Sequence, residues 1–246
     1  MKTKGNTVLI TGGSMGIGFS MAEEFIKAGN EVIICGRRED KLAEAKAMLP
    51  LLTTMVCDVS KHKDRESLYN WVICKFPELN ILVNNAGIQR RINFRKGIEE
   101  VINKENEVDI NLTATIELAA WFIPDFLKKK EAAIINVSSG LGFIPIALMP
   151  VYGATKAAIH SFSISLRHQL KDTSIKVFEI IPPIVDTDLD RGARGPVNRG
   201  IKPEEVGIAA LKDIKNDQYE CVVGMAQNLV QGSKTNFDQI FNNMNH

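Results

Sequence analysis

Short β-branched runs alternate along the chain with longer stretches whose apolar positions recur every three to four residues. Runs at 7–11, 31–35, 53–56, 81–84, 134–137, 175–181 and 219–223 read as strands. Helical spacing covers 15–28, 38–48, about 63–76, 151–171 and 203–214, and a long helical region reaches residue 130. In the first helix, for example, Met21, Ala22, Phe25 and Ile26 share one side. Strands separated by helices predict a doubly wound α/β fold with a parallel seven-stranded sheet and helices on both faces, because parallel neighbours need crossover connections. Residues 1–246 are read as one domain. Residues 187–202, rich in Gly and Arg, are a candidate substrate loop, and 228–246 form a tail in which Phe237, Ile240, Phe241 and Met244 mark a short amphipathic helix.

Ligands of such sheets bind beyond the carboxyl ends of the strands, so the residues just after each strand carry the functional argument. Val8-Leu9-Ile10 runs into Thr11-Gly12-Gly13-Ser14-Met15-Gly16-Ile17-Gly18 and then a helix. Gly12 permits a tight turn, Gly16 lets the backbone approach a pyrophosphate, and Gly18 lets the helix pack closely on the sheet. The second strand ends in Cys35-Gly36-Arg37-Arg38. An NAD-preferring site usually has a carboxylate there for the adenosine ribose. Gly36 followed by Arg37 instead leaves room for a 2′-phosphate and a planar fork to hold it; the alternative is a solvated charge pair at a helix entrance. Asp58 follows the third strand, and Asn84-Asn85-Ala86-Gly87 the fourth.

Tyr152 and Lys156 stand four apart on a predicted helix and so share one face. A phenol ionises near ~10 unaided, and a neighbouring ammonium favours its phenolate, which suits acid/base work at neutral pH. The strand at 134–137 ends in Ser138-Ser139, whose hydroxyls are expected at the same sheet edge. Asn111 sits inside a helical stretch, where asparagine is a mediocre former; a kink or a bound water would account for it.

Composition narrows the partners. Thirty basic residues against twenty-nine acidic ones leave a formal charge of +1, so no bulk field recruits nucleic acid or an anionic membrane. Small molecules are the expected partners. The first strand holds about five apolar residues, short of the ~7–15 of a secretory signal, and no stretch reaches the ~18 of a membrane span. A cytoplasmic location is expected. Cys35, Cys57, Cys74 and Cys221, like His62, His160, His168 and His246, are scattered, which suggests reduced thiols and no metal.

Taken in order, Thr11–Gly18, Asp58, Asn84–Gly87, Asn111, Ser139, Tyr152 and Lys156 resemble the motif set of the single-domain short-chain dehydrogenase/reductases, over about residues 7 to 187. The resemblance implies a Rossmann-type fold, hydride transfer between NADP(H) and a carbonyl or alcohol substrate, and a catalytic tetrad of Asn111, Ser139, Tyr152 and Lys156. Ser139 is implied over Ser138 because the family places the tyrosine thirteen residues later. In this reading Tyr152 is the general acid/base, Lys156 stabilises its phenolate and holds the cofactor ribose, and Asn111 supports a water relay. The cofactor-binding set implied is Gly12, Ser14, Gly16, Ile17, Gly18, Arg37, Asp58, Asn84, Gly87, Tyr152, Lys156, Val185 and Thr187. A non-catalytic NADP(H)-sensing or scaffolding protein of the same fold is the alternative, and the intact tetrad argues against it.

Three departures stand out. The family's Pro-Gly after the sixth strand is Pro182-Pro183, the basic residue before Gly16 is Met15, and the end of the chain is more similar to DltE-type bacterial oxidoreductases. Gln89, Arg90, Arg91, Phe143, Ile144, Met149, Ile184 and Leu189 are candidate pocket residues. Arg191, Arg194 and Arg199, among Gly192, Gly195 and Gly200, are read either as a lid or as a solvated loop. The apolar stretches at 116–127 and 157–166 predict a homodimer or homotetramer paired through these two helices.

Overall fold

The computed structural model describes residues 1–102, 104–189 and 200–245. Its seven strands are β1 (Thr7–Thr11), β2 (Glu31–Gly36), β3 (Thr53–Val56), β4 (Leu79–Asn84), β5 (Ala132–Val137), β6 (Ile175–Ile181) and β7 (Glu220–Val222). All neighbours run parallel, in the order β3-β2-β1-β4-β5-β6-β7. The helices are α1 (Gly16–Lys27), α2 (Glu39–Met48), α3 (His62–Lys75), α4 (Ala114–Phe126), α5 (Pro150–Gln169), α6 (Pro203–Lys215), α7 (Ala226–Thr235) and α8 (Phe237–Asn245).

Alternation along β1 shows how the sheet builds two cores. Val8 and Ile10 belong to one with Met21 and Phe25 of α1 and Val206 and Ile214 of α6. Leu9 belongs to the other with Leu68 of α3 and Leu118 and Phe122 of α4. Strands covered on both faces need apolar residues at every position, which is why β1 reads as a continuous run. The strand order reverses between β1 and β4, and the crevice at their carboxyl ends is where such a sheet takes a ligand.

The structure revises three sequence expectations. The long helical region is broken: two 3₁₀ turns (Phe94–Lys96 and Ile98–Glu100) precede a π-helical turn (Asp109–Thr113) that leads into α4. Gly97 separates the 3₁₀ turns at φ +76°, which no right-handed helix can pass through. β4 and β5 each begin two residues earlier than read. The tail holds two helices, α7 and α8, where one was expected. Of the loop at 187–202, residues 190–199 lie outside the described residues, and with them Arg191, Gly192, Arg194, Gly195 and Arg199 of the expected lid. Its flanks meet: Asp186 N–H donates to Ile201 O at 2.9 Å, and Ile201 N–H to Ile184 O at 3.1 Å.

Among the described residues, no helix is long and apolar enough to cross a membrane.

Candidate active site

The turn after β1 is held from β4. Thr11 Oγ1 accepts from the backbone N–H of Asn85 (3.1 Å) and Ala86 (3.0 Å), and Asn85 Nδ2 donates to the carbonyls of Thr11 (2.9 Å) and Gly12 (3.1 Å). Gly12 has φ +64°, and a Cβ there would lie 2.9 Å from Ala86 Cα. A Cβ on Gly18 would come within 2.5 Å of Gly12 O, so the first turn of α1 sits directly on the strand end. Both glycines are therefore required by geometry.

A cleft of about 480 Å³ opens above this turn. Gly12, Ser14, Gly16 and Ile17 line its floor, Gly36, Arg37, Arg38 and Asp58 one end, and Gly87, Tyr152, Lys156 and Thr187 the other. Asp58 Oδ1 is held by the N–H (3.1 Å) and hydroxyl (2.7 Å) of Ser60. With the free N–H groups of an α1 N-terminus below and arginines at one end, these residues fit a dinucleotide with its pyrophosphate at the helix start. Asn84 stands one layer behind this lining. It is buried, and its Nδ2 donates to Asn136 Oδ1 at 3.0 Å. Asn136 Nδ2 in turn donates to Ser163 Oγ at 2.9 Å, tying β4 to β5 and α5. Asn85, part of the motif after β4 but outside the implied cofactor-binding set, lies along the cleft.

Arg37 does not stand free. It forms an ion pair with Glu105, which reaches the same end of the cleft from the segment before α4. Both side chains are half-exposed. Nothing in the local pattern around Glu105 marks it.

The chemical end rests on Asn111, wholly buried in the π turn. Its Oδ1 accepts from Ile88 N–H at 2.8 Å, and its Nδ2 donates to Ile88 O (2.9 Å) and Thr155 Oγ1 (3.0 Å). The helix widens at the point where an asparagine must bond outward to a loop and a second helix, a common setting for a π turn. Thr155 places this anchor in α5, between Tyr152 and Lys156.

Lys156 is buried and donates from Nζ to Val137 O at 2.8 Å, with Nζ 5.6 Å from the centroid of the Tyr152 ring. Burial pushes its ammonium down to about 8, while the charge of Glu179 pulls in the other direction. The two serines after β5 part ways. Ser138 Oγ donates to Glu179 Oε1 at 2.5 Å. Ser139 Oγ accepts from Leu141 N–H at 3.1 Å, leaving its own proton for another acceptor. Glu179, fully buried on β6, also meets His160 Nδ1 at 2.8 Å, and this contact raises the pKa of His160. A carboxylate amid Ile175-Lys176-Val177-Phe178-Glu179-Ile180-Ile181 was the sequence signal for this group.

Ser139 and Tyr152 also line a second, apolar cavity of about 310 Å³ with Val185 and Thr187. Of the pocket candidates, Gln89, Ile184 and Leu189 are on its wall. Arg90 is on the first cleft, with its guanidinium bonded to the carbonyls of Glu105 and Glu100 at 2.6 and 2.8 Å. Arg91, Phe143, Ile144 and Met149 are on neither lining: Phe143 packs on His160, and Ile144 and Met149 are buried. Met225, just after β7, and Asn228, Leu229 and Met244, from the tail, complete the cavity and were not anticipated as its lining.

Comparison with known proteins agrees with this geometry. Residues 6–196 match the model of the short chain dehydrogenase family. The chain is 48% identical, over its whole length and 98% of the relative, to the uncharacterized oxidoreductase DltE of Bacillus subtilis. A short-chain dehydrogenase/reductase of Burkholderia phymatum, solved with NAD, superposes with a TM-score of 0.85 at 18% identity, covering 100% of this chain and 97% of that one. A short-chain dehydrogenase of Sphingobium yanoikuyae, solved with NADPH, gives 0.81 at 27% identity, covering 95% of each. The chain belongs to the short-chain dehydrogenase/reductase family of oxidoreductases.

Proposed function

We propose that this oxidoreductase interconverts a carbonyl compound and its alcohol with NADP(H), and that Tyr152 exchanges the proton at the substrate oxygen. The observation that carries the reading is that Tyr152 lines both cavities at once, with Lys156 behind it on the cleft side and Ser139 on the other. A nicotinamide bound in the cleft supplies or receives the hydride at the substrate carbon. The protein does the rest. Tyr152 gives its phenolic proton to the carbonyl oxygen in reduction and takes it back in oxidation. The Lys156 ammonium favours the phenolate left behind. Ser139 aims its unspent hydroxyl proton at the oxygen where charge develops. Asn111 holds the segment after β4 and the start of α5 in register, so that these groups meet.

The preference for NADP(H) rests on Gly36 and on the cation pair Arg37 and Arg38 at the adenosine end. Replacing Tyr152 by Phe tests the central assignment. Turnover is expected to fall by roughly 100- to 10,000-fold, the usual share of a general acid/base, with NADPH binding retained by fluorescence titration. A variant within a few-fold of the parent rate would overturn it.

A further inference from the structure

Charge is segregated across Tyr152. The cleft on one side holds Arg37, Arg38, Arg90, Asp58 and Glu105, whereas the described lining of the cavity on the other side contains no Asp, Glu, Lys, Arg or His. The body of that cavity is Leu141, Ile146, Ile184, Met225, Leu229 and Met244. Its polar side chains away from Ser139 and Tyr152 are few, and one of them, Gln89, already donates to Leu189 O at 3.1 Å.

A carboxylate or phosphate drawn into this space would lose its water without gaining a cation from the described lining. An alkyl or aryl group would gain by leaving water. Met225 is 62% exposed and Leu189 39% exposed at the wall, apolar surface that such a group would cover. Two methionines let one cavity fit several apolar shapes.

The tail is a built part of this wall. Leu229 is on α7, Met244 on α8, and Asn245 fixes the end of α8 against the segment that leads into α5. Its Oδ1 accepts from Ala147 N–H at 2.5 Å and its Nδ2 donates to Pro145 O at 3.3 Å. The side chains of the tail thus contribute apolar surface to the cavity.

We propose that the substrate is an uncharged ketone or aldehyde with an apolar alkyl or aryl body, or the corresponding alcohol, selected by Met225, Leu229 and Met244; this rests on the oxidoreductase reading above. In reduction the carbonyl π bond opens, the carbon gains the hydride with its electron pair from the reduced nicotinamide, and the oxygen gains the proton of Tyr152.

The test compares matched pairs on the full chain with NADPH and, separately, NADH: acetophenone against 4-acetylbenzoate, and 2-octanone against 7-oxooctanoate. The uncharged member of each pair is expected to lead by roughly 100-fold or more in kcat/KM, because the charged one must be desolvated unpaired. Leu229→Asp should raise KM for the uncharged ketones, and Asn228→Arg, at an exposed position, should improve the carboxylates by roughly tenfold through a new ion pair. Equal or better turnover of the carboxylates by the parent protein overturns the proposal. If no carbonyl is reduced at all, the oxidoreductase reading fails instead. The cavity is then judged by calorimetry on NADP⁺-loaded protein with 1-phenylethanol and 4-(1-hydroxyethyl)benzoate: binding of the first alone supports the proposal, and any other result overturns it.

Discussion

Glu179 and His160 form a pair at 2.8 Å beneath the candidate active site, one helical turn beyond Lys156 on α5. Arg167 from the same helix and Glu220 from β7 also bear on His160, and Ser138 holds the other oxygen of Glu179. The negative charge of Glu179 opposes the effect of burial on Lys156, whose ammonium therefore persists below about pH 8 and is lost above it. Glu179→Gln keeps the shape and removes the charge, so the lysine should lose its proton at lower pH. The expected outcome is an alkaline limb of kcat/KM for ketone reduction that moves below about 8. An unchanged profile would make Glu179 a structural residue only.

The Arg37 and Glu105 pair bears on cofactor choice. A half-exposed ion pair of this kind is worth about 0–1 kcal/mol, which a 2′-phosphate would have to displace. Glu105→Gln should tighten NADPH binding by up to about fivefold and leave NADH within about twofold. Arg37→Ala should weaken NADPH by the roughly 1.5–3 kcal/mol of a charge-assisted hydrogen bond. Fluorescence titration of both nucleotides reads each change. A large loss of NADH affinity in Glu105→Gln would mean that this carboxylate serves the ribose of NAD(H).

Asn111→Ala should cost stability as well as rate. It leaves the N–H and C=O of Ile88 without their side-chain partner in a half-buried place, at up to about 1–3 kcal/mol for each group. Thermal unfolding is expected to fall by several degrees, at roughly 2–4 °C per kcal/mol for a chain of this size. A variant with parental unfolding temperature would remove Asn111 from its anchoring role.

How far the sequence foretold these groups depends on the range of the interaction. Period and turn chemistry are local, so β1, the glycine turn and the Tyr152–Lys156 face were legible, and the sheet followed from them. The break in the helical region was not, because Ile92, Ile98, Val101 and Ile102 mimic helical spacing while Gly97 carries a positive φ that only the fold reveals. Glu105 meeting Arg37, Asn84 turning inward to Asn136, and the tail closing over Ser139 join residues far apart in the chain. No local pattern announces such meetings. Ser138 and Ser139 were distinguishable only by the resemblance; their directions depend on Glu179 and Leu141.

The expected homodimer or homotetramer has a specific surface to use. Trp121, on the apolar stretch of α4, is not its best probe: it stacks on Tyr69 at 6.0 Å and lies 5.4 Å from His62, both on α3, so a charge there would disturb the subunit itself. The outward residues are different. Ile116 on α4, Leu127 just beyond it and Ile164 on α5 are 40%, 50% and 44% exposed, and the exposed Ala154 and Ala157 leave α5 flat enough for close helix contact. A two-fold pairing would bury these residues against their own copies, an isologous interface. Ile164→Glu places a charge at that contact without touching either cavity. Sedimentation equilibrium of the parent protein at micromolar concentration should give a multiple of the chain mass, and the variant should shift towards the single chain with its circular dichroism unchanged. A parent protein that sediments as one chain would refute the assembly.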